Sequence, residues 1–329
     1  MSLMRAERRR FLKRRMIIWT LVIFVGLLAT IGTIVFFTTE KVTPEVRAAA
    51  QAQADRMYNQ QMQEFQRMRA RCEQSPSDEI CQQGRFEEPQ REWFPAESFM
   101  PATFNFRNDS EDFVVTWAIL LAMFAFIIGA SFVGAEWRSG AMMNLLTWRP
   151  KRMQVLGTKL MALLGSLTVF SVLSFGLWTA AMVGIASTHG TMERMTNGAW
   201  QSYGLTGLRG LGMILAFAAL GFGLASIGRH IGLALGMALG VIILGQFGLM
   251  AVLFMARVPY PEIYLIPSHL QAWMEKRVVI QDPFAVVSPM DEVPTRILSF
   301  GDSGSIGLGV VAVVLAVAFY TMRRRDIAN

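Results

Sequence analysis

Residues 113–135 read FVVTWAILLAMFAFIIGASFVGA, from Phe113 to Ala135, without one Asp, Glu, Lys or Arg. The hydrocarbon core of a bilayer is about 30 Å thick and takes about 20 apolar helical residues to cross. This run meets that need, and a helix satisfies every backbone N–H and C=O within one segment in lipid. Five further runs have the same character: Met16–Phe37, Val155–Ile185, Thr206–Ile227, Ile231–Ala256 and Ser305–Met322. Two of them carry a charge near one end, Lys159 and Arg209, where long side chains can snorkel to the headgroups. The whole chain is 53% hydrophobic and 17% charged, whereas soluble domains carry about 25% charge. A β-barrel needs alternating segments of about ten residues, and these are absent. The expected fold is an all-α membrane protein with six spans: residues 16–37, 113–135, 155–185, 206–227, 231–256 and 305–322.

The distribution of charge gives the orientation. Residues 1–15, the loop 136–153 with Lys159, the Gly228–His230 turn and the tail 323–329 together hold 16 Lys and Arg against 3 Asp and Glu. The rest of the chain holds 15 against 21. Short basic loops stay in the cytoplasm. Both termini are therefore expected inside the cell, in a multi-pass protein of the cytoplasmic membrane. The net charge of +7 then reads as topology anchors, including Arg8-Arg9-Arg10 and Arg323-Arg324-Arg325, and not as a nucleic-acid surface. The basic start is amphipathic. The first apolar run is too long for a signal peptide, whose core is about 7–15 residues, so it is expected to be a retained helix.

Two segments fall outside the cell on this reading. Residues 38–112 form an extracytoplasmic helical insertion: Pro44 suits the first position of a helix, and good helix formers continue to Cys72. Ala54, Tyr58, Met62, Phe65 and Met68 lie near one face and are expected to pack on the rest of the insertion or on a partner. Cys72 and Cys81 bracket a turn-forming stretch, and a disulfide between them can persist outside the cytoplasm. Residues 257–304 form a second, proline-punctuated loop. Within it Ser268–Val279 is expected to make a short helix at the interface, either re-entering the bilayer or capping a central path.

Small residues cluster in the fifth run. Gly228, Gly232, Gly236 and Gly240 recur at four-residue spacing, which on a helix leaves a groove where another backbone can approach. They are expected to pack helices within or between subunits. Gln246 is a polar group at depth, which should bond to another helix or face a cavity.

The loop between the second and third spans reads Glu136-Trp137-Arg138-Ser139-Gly140-Ala141-Met142-Met143-Asn144-Leu145-Leu146-Thr147-Trp148-Arg149-Pro150-Lys151-Arg152, and continues to Lys159. This resembles the signature of ABC-2 permeases, the membrane subunits of ABC transporters, and its LLTWRPKR form is similar to the actinobacterial branch. Glu136, Gly140, Leu145, Leu146, Thr147, Arg152 and Lys159 take the family's places, while Ala141 stands where Thr is usual and Pro150 is displaced by one. The resemblance implies a six-span exporter subunit that couples through this loop to a separate ATPase. The residues themselves suit that role. Met142, Leu145 and Leu146 share a helical face and can seat in a groove of a partner, since helix docking uses i, i+3, i+4 anchors. Glu136, Arg138, Arg149, Lys151 and Arg152 can latch to the ATPase or to the chain's own basic N-terminal helix. Pro150 and Lys159 complete the expected coupling set.

The chain is expected to hold no cofactor and no catalytic site. The nearest match to a phosphate-binding loop, Gly223–Gly228 followed by Arg229-His230, lacks the lysine and hydroxyl that such a loop needs. ATP and Mg therefore belong to two partner ATPase subunits, and a second permease copy, in a homodimer, completes the path. Uncharged span centres disfavour an ion-coupled carrier and favour an apolar or amphipathic cargo: a drug, lipid or hydrophobic peptide. A membrane-anchored sensor or immunity protein acting through residues 38–112 is the alternative. An intramembrane enzyme needs a nucleophile and base, or metal ligands, at depth; His189, His230 and His269 all lie at loops or ends.

Overall fold

The computed structural model describes residues 3–41, 43–74, 87–101, 103–148, 151–193, 195–285 and 293–324. Its main helices are α1 (Leu3–Lys13), α2 (Arg15–Thr38), α3 (Pro44–Gln74), α4 (Phe106–Arg138), α5 (Ala141–Trp148), α6 (Arg152–His189) and α7 (Asn197–Gly228). They continue with α8 (Ile231–Gly240), a wider π-wound stretch Val241–Gly248, α9 (Leu249–Met255), α10 (Ile266–Glu275) and α11 (Phe300–Arg324). Six helices are long and apolar enough to cross a membrane: α2, α4, α6, α7, the continuous 231–255 and α11. Each contains one of the six apolar runs, apart from Ala256 at the end of the fifth. Most extend into polar sequence, because backbone hydrogen bonding continues past the point where hydropathy falls. At α7 the true start is marked by Thr196, whose hydroxyl accepts from Ala199 N at 3.3 Å, a side-chain cap that satisfies one orphan donor.

The chain divides into two compact units. The first comprises residues 1–30, 110–179 and 196–329, and the second 31–109 and 180–195.

In the first unit α4 and α7 are packed backbone to backbone. A Cβ at Gly129 would strike the Ala218 carbonyl, one at Gly221 would strike the Phe126 carbonyl, and one at Gly134 would lie 2.7 Å from Ile231 N. Ala130, Ala225 and Ala234 form a fully buried cluster beside them. This is the close approach that small residues permit in membranes, where association rests on van der Waals contact rather than on the hydrophobic effect. Indole N–H groups add fixed points. Trp117 Nε1 donates to Ser174 Oγ (3.2 Å) and Trp178 Nε1 to the Phe113 carbonyl (3.1 Å), tying α4 to α6. The helix α2 buries only Ile17, Thr20, Phe24 and Leu28, with Phe24 edge-on to Phe124 and Phe170.

The fifth span differs from the expectation in two ways. Gly228 is the last residue of α7, and Arg229 takes a left-handed conformation (φ 56°) before His230 caps α8. Only Gly232, Gly236 and Gly240 therefore share a helix. A Cβ on Gly228 or Gly232 would meet Leu233 or His230 of the same turn, while Gly236 and Gly240 have nothing within 4 Å. Between α4 and the helices facing it, the tight glycine contacts are those of Gly129, Gly134 and Gly221. Gln246 lies in the π-wound stretch, and its Oε1 has no hydrogen-bond partner among the described residues.

The segment after the fifth span also differs. The helix α10 ends at Glu275, and residues 277–279 are already strand. Lys276 (φ 74°) turns the chain into β3 (Arg277–Gln281), paired antiparallel with β4 (Thr295–Ser299) in the register Arg277↔Ser299 to Gln281↔Thr295. The β-branched residues Val278, Val279, Ile280 and Ile297 favour this form. Ile280 and Leu298 pack on Ala272 of α10, while Val279 and Ile297 point away. On α10, Trp273 donates from Nε1 to the Arg209 carbonyl at 2.8 Å and stacks on Phe300 at 4.8 Å. The half-buried Arg209 guanidinium donates to the Met274 carbonyl and to Thr206 Oγ1.

In the second unit α3 opens at Pro44, with Thr43 Oγ1 accepting from Val46 N. Ala50 and Ala54 are buried and Tyr58, Met62 and Phe65 half-buried, the face read from the sequence, although Met68 at its end is exposed. Tyr58 meets Phe94 edge-on, and Arg91 lies over the Tyr58 ring while pairing with Asp55. A short parallel pair joins β1 (Phe104–Asn105) to β2 (Gly190–Thr191), where Gly190 leaves no room for a side chain against the Phe104 carbonyl. The expected Cys72–Cys81 bridge cannot be followed, since Cys81 lies outside the described residues.

Candidate functional site

Lys159, in the second turn of α6, is fully buried in the first unit. Burying one ammonium costs several kcal/mol unless it is paired, and here two carboxylates meet it. Nζ lies 2.7 Å from Glu7 Oε2, to which it donates, and 2.7 Å from Glu136 Oε2. The Glu136 contact is an ion pair off the hydrogen-bonding direction. Glu7 also accepts from Arg10 at 3.0 Å. Lys159 therefore does not snorkel as expected. It joins three elements: α1 through Glu7, the end of α4 through Glu136, and the start of α6.

Phe132 of α4 closes the group. Its ring is 5.4 Å from Lys159 Nζ and 5.8 Å from the Arg14 guanidinium, and Phe11 of α1 meets it edge-on at 5.6 Å. Arg14, at the break between α1 and α2, donates to the carbonyls of Ser131 (3.0 Å) and Phe132 (2.8 Å). Burial pushes the Arg14 pKa down from the usual arginine value, and the Glu136 and Glu7 carboxylates pull it back up. The amphipathic N-terminal helix thus buries Glu7 and Phe11 and leaves Arg5, Arg8, Arg9, Arg10 and Lys13 exposed. The sequence reading passed over Glu7. Its signal is that it is the one acidic residue among the first fifteen.

The loop that follows α4 turns at Gly140, whose φ of 71° is the left-handed conformation that glycine adopts without penalty. A side chain there meets nothing within 4 Å, so Gly140→Ala is expected to cost about 1–2 kcal/mol through the left-handed backbone alone, measurable as a small drop in melting temperature. The turn sets the phase of α5, and it directs two of the expected anchors inward. Met142 and Leu146 are buried inside the chain, and Leu145 is half-buried. The outward face carries Ala141, Asn144, Thr147 and Trp148, and Trp148 is 87% exposed. Thr147 bonds back to the Asn144 carbonyl at 2.7 Å. Arg138 is exposed, Arg152 opens α6, and Pro150 with Arg149 lies outside the described residues. The structure therefore brings Glu136 and Lys159 together, seats Met142 and Leu146 as struts, and leaves Trp148 projecting.

The profile of the ABC-2 family of transporter proteins matches residues 1–327. The chain belongs to the ABC-2 family. With six apolar helices, this ABC-2 protein is a multi-pass membrane protein and the membrane subunit of an ABC transporter, a kind of subunit that works with an ABC ATPase. No curated protein matches the chain. Among the described residues no group of His, Cys, Asp and Glu is placed to hold a metal ion.

Proposed function

We propose that this ABC-2 subunit is the permease of an ATP-driven exporter of the cytoplasmic membrane. Two copies pair with two ATPase subunits and move an apolar or amphipathic cargo: a drug, lipid or hydrophobic peptide. The buried Lys159 carries this reading. It fastens α1, α4 and α6 into one block, and α5 lies in the loop that joins α4 to α6, so a push on the exposed face of α5 moves the ends of the spans rather than bending a loop. The basic bias of α1, the α4–α6 loop and the tail supports a cytoplasmic position for that face, since short basic loops are retained inside. Span centres without ionised groups support the cargo class. Gly236 and Gly240, open on the fifth span, suit contact with the second copy. ATP and Mg bind to the partner, and this chain contributes no catalytic group.

The experiment is binding and ATP hydrolysis with the purified ATPase partner. Trp148→Ala removes a projecting aromatic of the kind that dominates interfaces, and is expected to weaken ATPase binding about thirtyfold. Because Trp148 is so exposed, the melting temperature of the permease alone should not move. Unchanged binding and unchanged cargo-stimulated hydrolysis would show that the motor meets another surface. The same orientation puts Cys72 and Cys81 outside the cell. A non-reduced digest is expected to contain the linked Cys72–Cys81 peptide, and two alkylated thiols would contradict that placement.

A further inference from the structure

A second feature of the first unit lies where α4, α7 and α11 end and α6 begins. A small pocket there is lined by Trp137, Met143, Leu146, Arg152, Arg229 and Met322 among others, and among the described residues no acidic side chain lines it. Its free space is water-sized, enough to admit one oxygen of a larger group. Two observations point to an anionic occupant. Trp137 Nε1 is buried with no acceptor among the described residues, and an unpaired buried donor costs about 1–3 kcal/mol. Arg229 lies over the Trp137 ring at 4.8 Å, yet it occupies the left-handed position after α7 (φ 56°), where glycine is the favoured residue. A bulky side chain in that conformation carries a backbone cost, which a cation fixed at the pocket mouth offsets.

We infer that this pocket holds a phosphate oxygen of an anionic phospholipid headgroup, which accepts a hydrogen bond from Trp137 Nε1–H and pairs with Arg229. Four apolar helices begin or end here, at Arg138, Arg152, Gly228 and Arg324, which is headgroup depth, and tryptophan is enriched at that level. The inference requires only membrane insertion, so it stands apart from the export reading.

The test is native mass spectrometry of the full-length permease in detergent, titrated with phosphatidylglycerol, phosphatidylcholine or inorganic phosphate. The wild type is expected to retain phosphatidylglycerol in preference to phosphatidylcholine, without displacement by millimolar phosphate. Trp137→Phe keeps the ring under Arg229 but removes the donor, and should weaken retention about tenfold, the scale of a hydrogen bond to a charged group. Arg229→Gly suits the left-handed backbone, so its fold is safe, and should weaken retention at least as much. Equal retention of both lipids by the wild type overturns the inference without any variant. Displacement by phosphate alone would make this a free-anion site and overturn the lipid source. Variants that retain phosphatidylglycerol normally but lose ATPase binding would assign the pocket to an acidic side chain of the ATPase instead.

Discussion

Lys159→Met keeps the bulk of the side chain and removes its charge, and it is expected to destabilise the folded permease by about 3–5 kcal/mol. Among the described residues Glu136 would be left with no cation at contact distance, and Glu7 with Arg10 alone. The cost lies in breaking the set rather than in lacking it, because a buried ion network replaced whole by neutral groups is often as stable as the original. Lys159→Met combined with Glu7→Gln and Glu136→Gln should therefore recover most of the melting temperature in detergent. The triple variant is still expected to couple poorly, since the angle of α1 against α4 and α6 would no longer be fixed by charge. A single Lys159→Met variant as stable as wild type would mean that the three groups are not buried together.

The second large effect is expected at Gly221 and Gly129. Valine at either site would force its Cβ into a carbonyl of the facing helix, Phe126 for Gly221 and Ala218 for Gly129. Overpacking against side chains costs about 1–3 kcal/mol, and helix backbone cannot yield as a side chain does, so loss of the folded permease is expected. Gly236→Val and Gly240→Val are the contrast. With nothing within 4 Å of either, both should leave the subunit's own melting temperature unchanged and weaken only its association with a second copy. Expression and melting of the four variants in detergent, with their assembly state by light scattering, check the whole set.

The spans were legible because lipid imposes one strict demand, a long run without charge that forms its own hydrogen bonds. No comparable demand fixes the site. Glu136 and Lys159 could be picked out from their places in the loop motif, but their common partner Glu7 lies 152 residues from Lys159, and only its isolation among arginines marks it. Met142 and Leu146 were read as outward anchors of α5, and both are buried inside the chain. Apolar spacing says that Met142 and Leu146 share a face, but whether that face meets the chain itself or another protein depends on the phase set by Gly140. The glycine repeat is shorter than its spacing suggests. Residues 228–240 carry the stronger pattern, yet a left-handed Arg229 splits it, while the weaker small-residue spacing around Gly129 and Gly221 forms the tight contact. The β3–β4 hairpin was missed because its alternating residues sit between spans, where a helix or an irregular loop is the usual expectation.

If Trp148 meets a motor inside the cell, the most direct measurement is its accessibility from outside. In a Trp148→Cys variant, sealed cells treated with a membrane-impermeant maleimide should leave residue 148 unlabelled, as read by peptide mass spectrometry. Permeabilised cells should label it fully, and bound ATPase should then protect it. Labelling of residue 148 in sealed cells would place the loop on the wrong side of the membrane, where no ATPase could reach it.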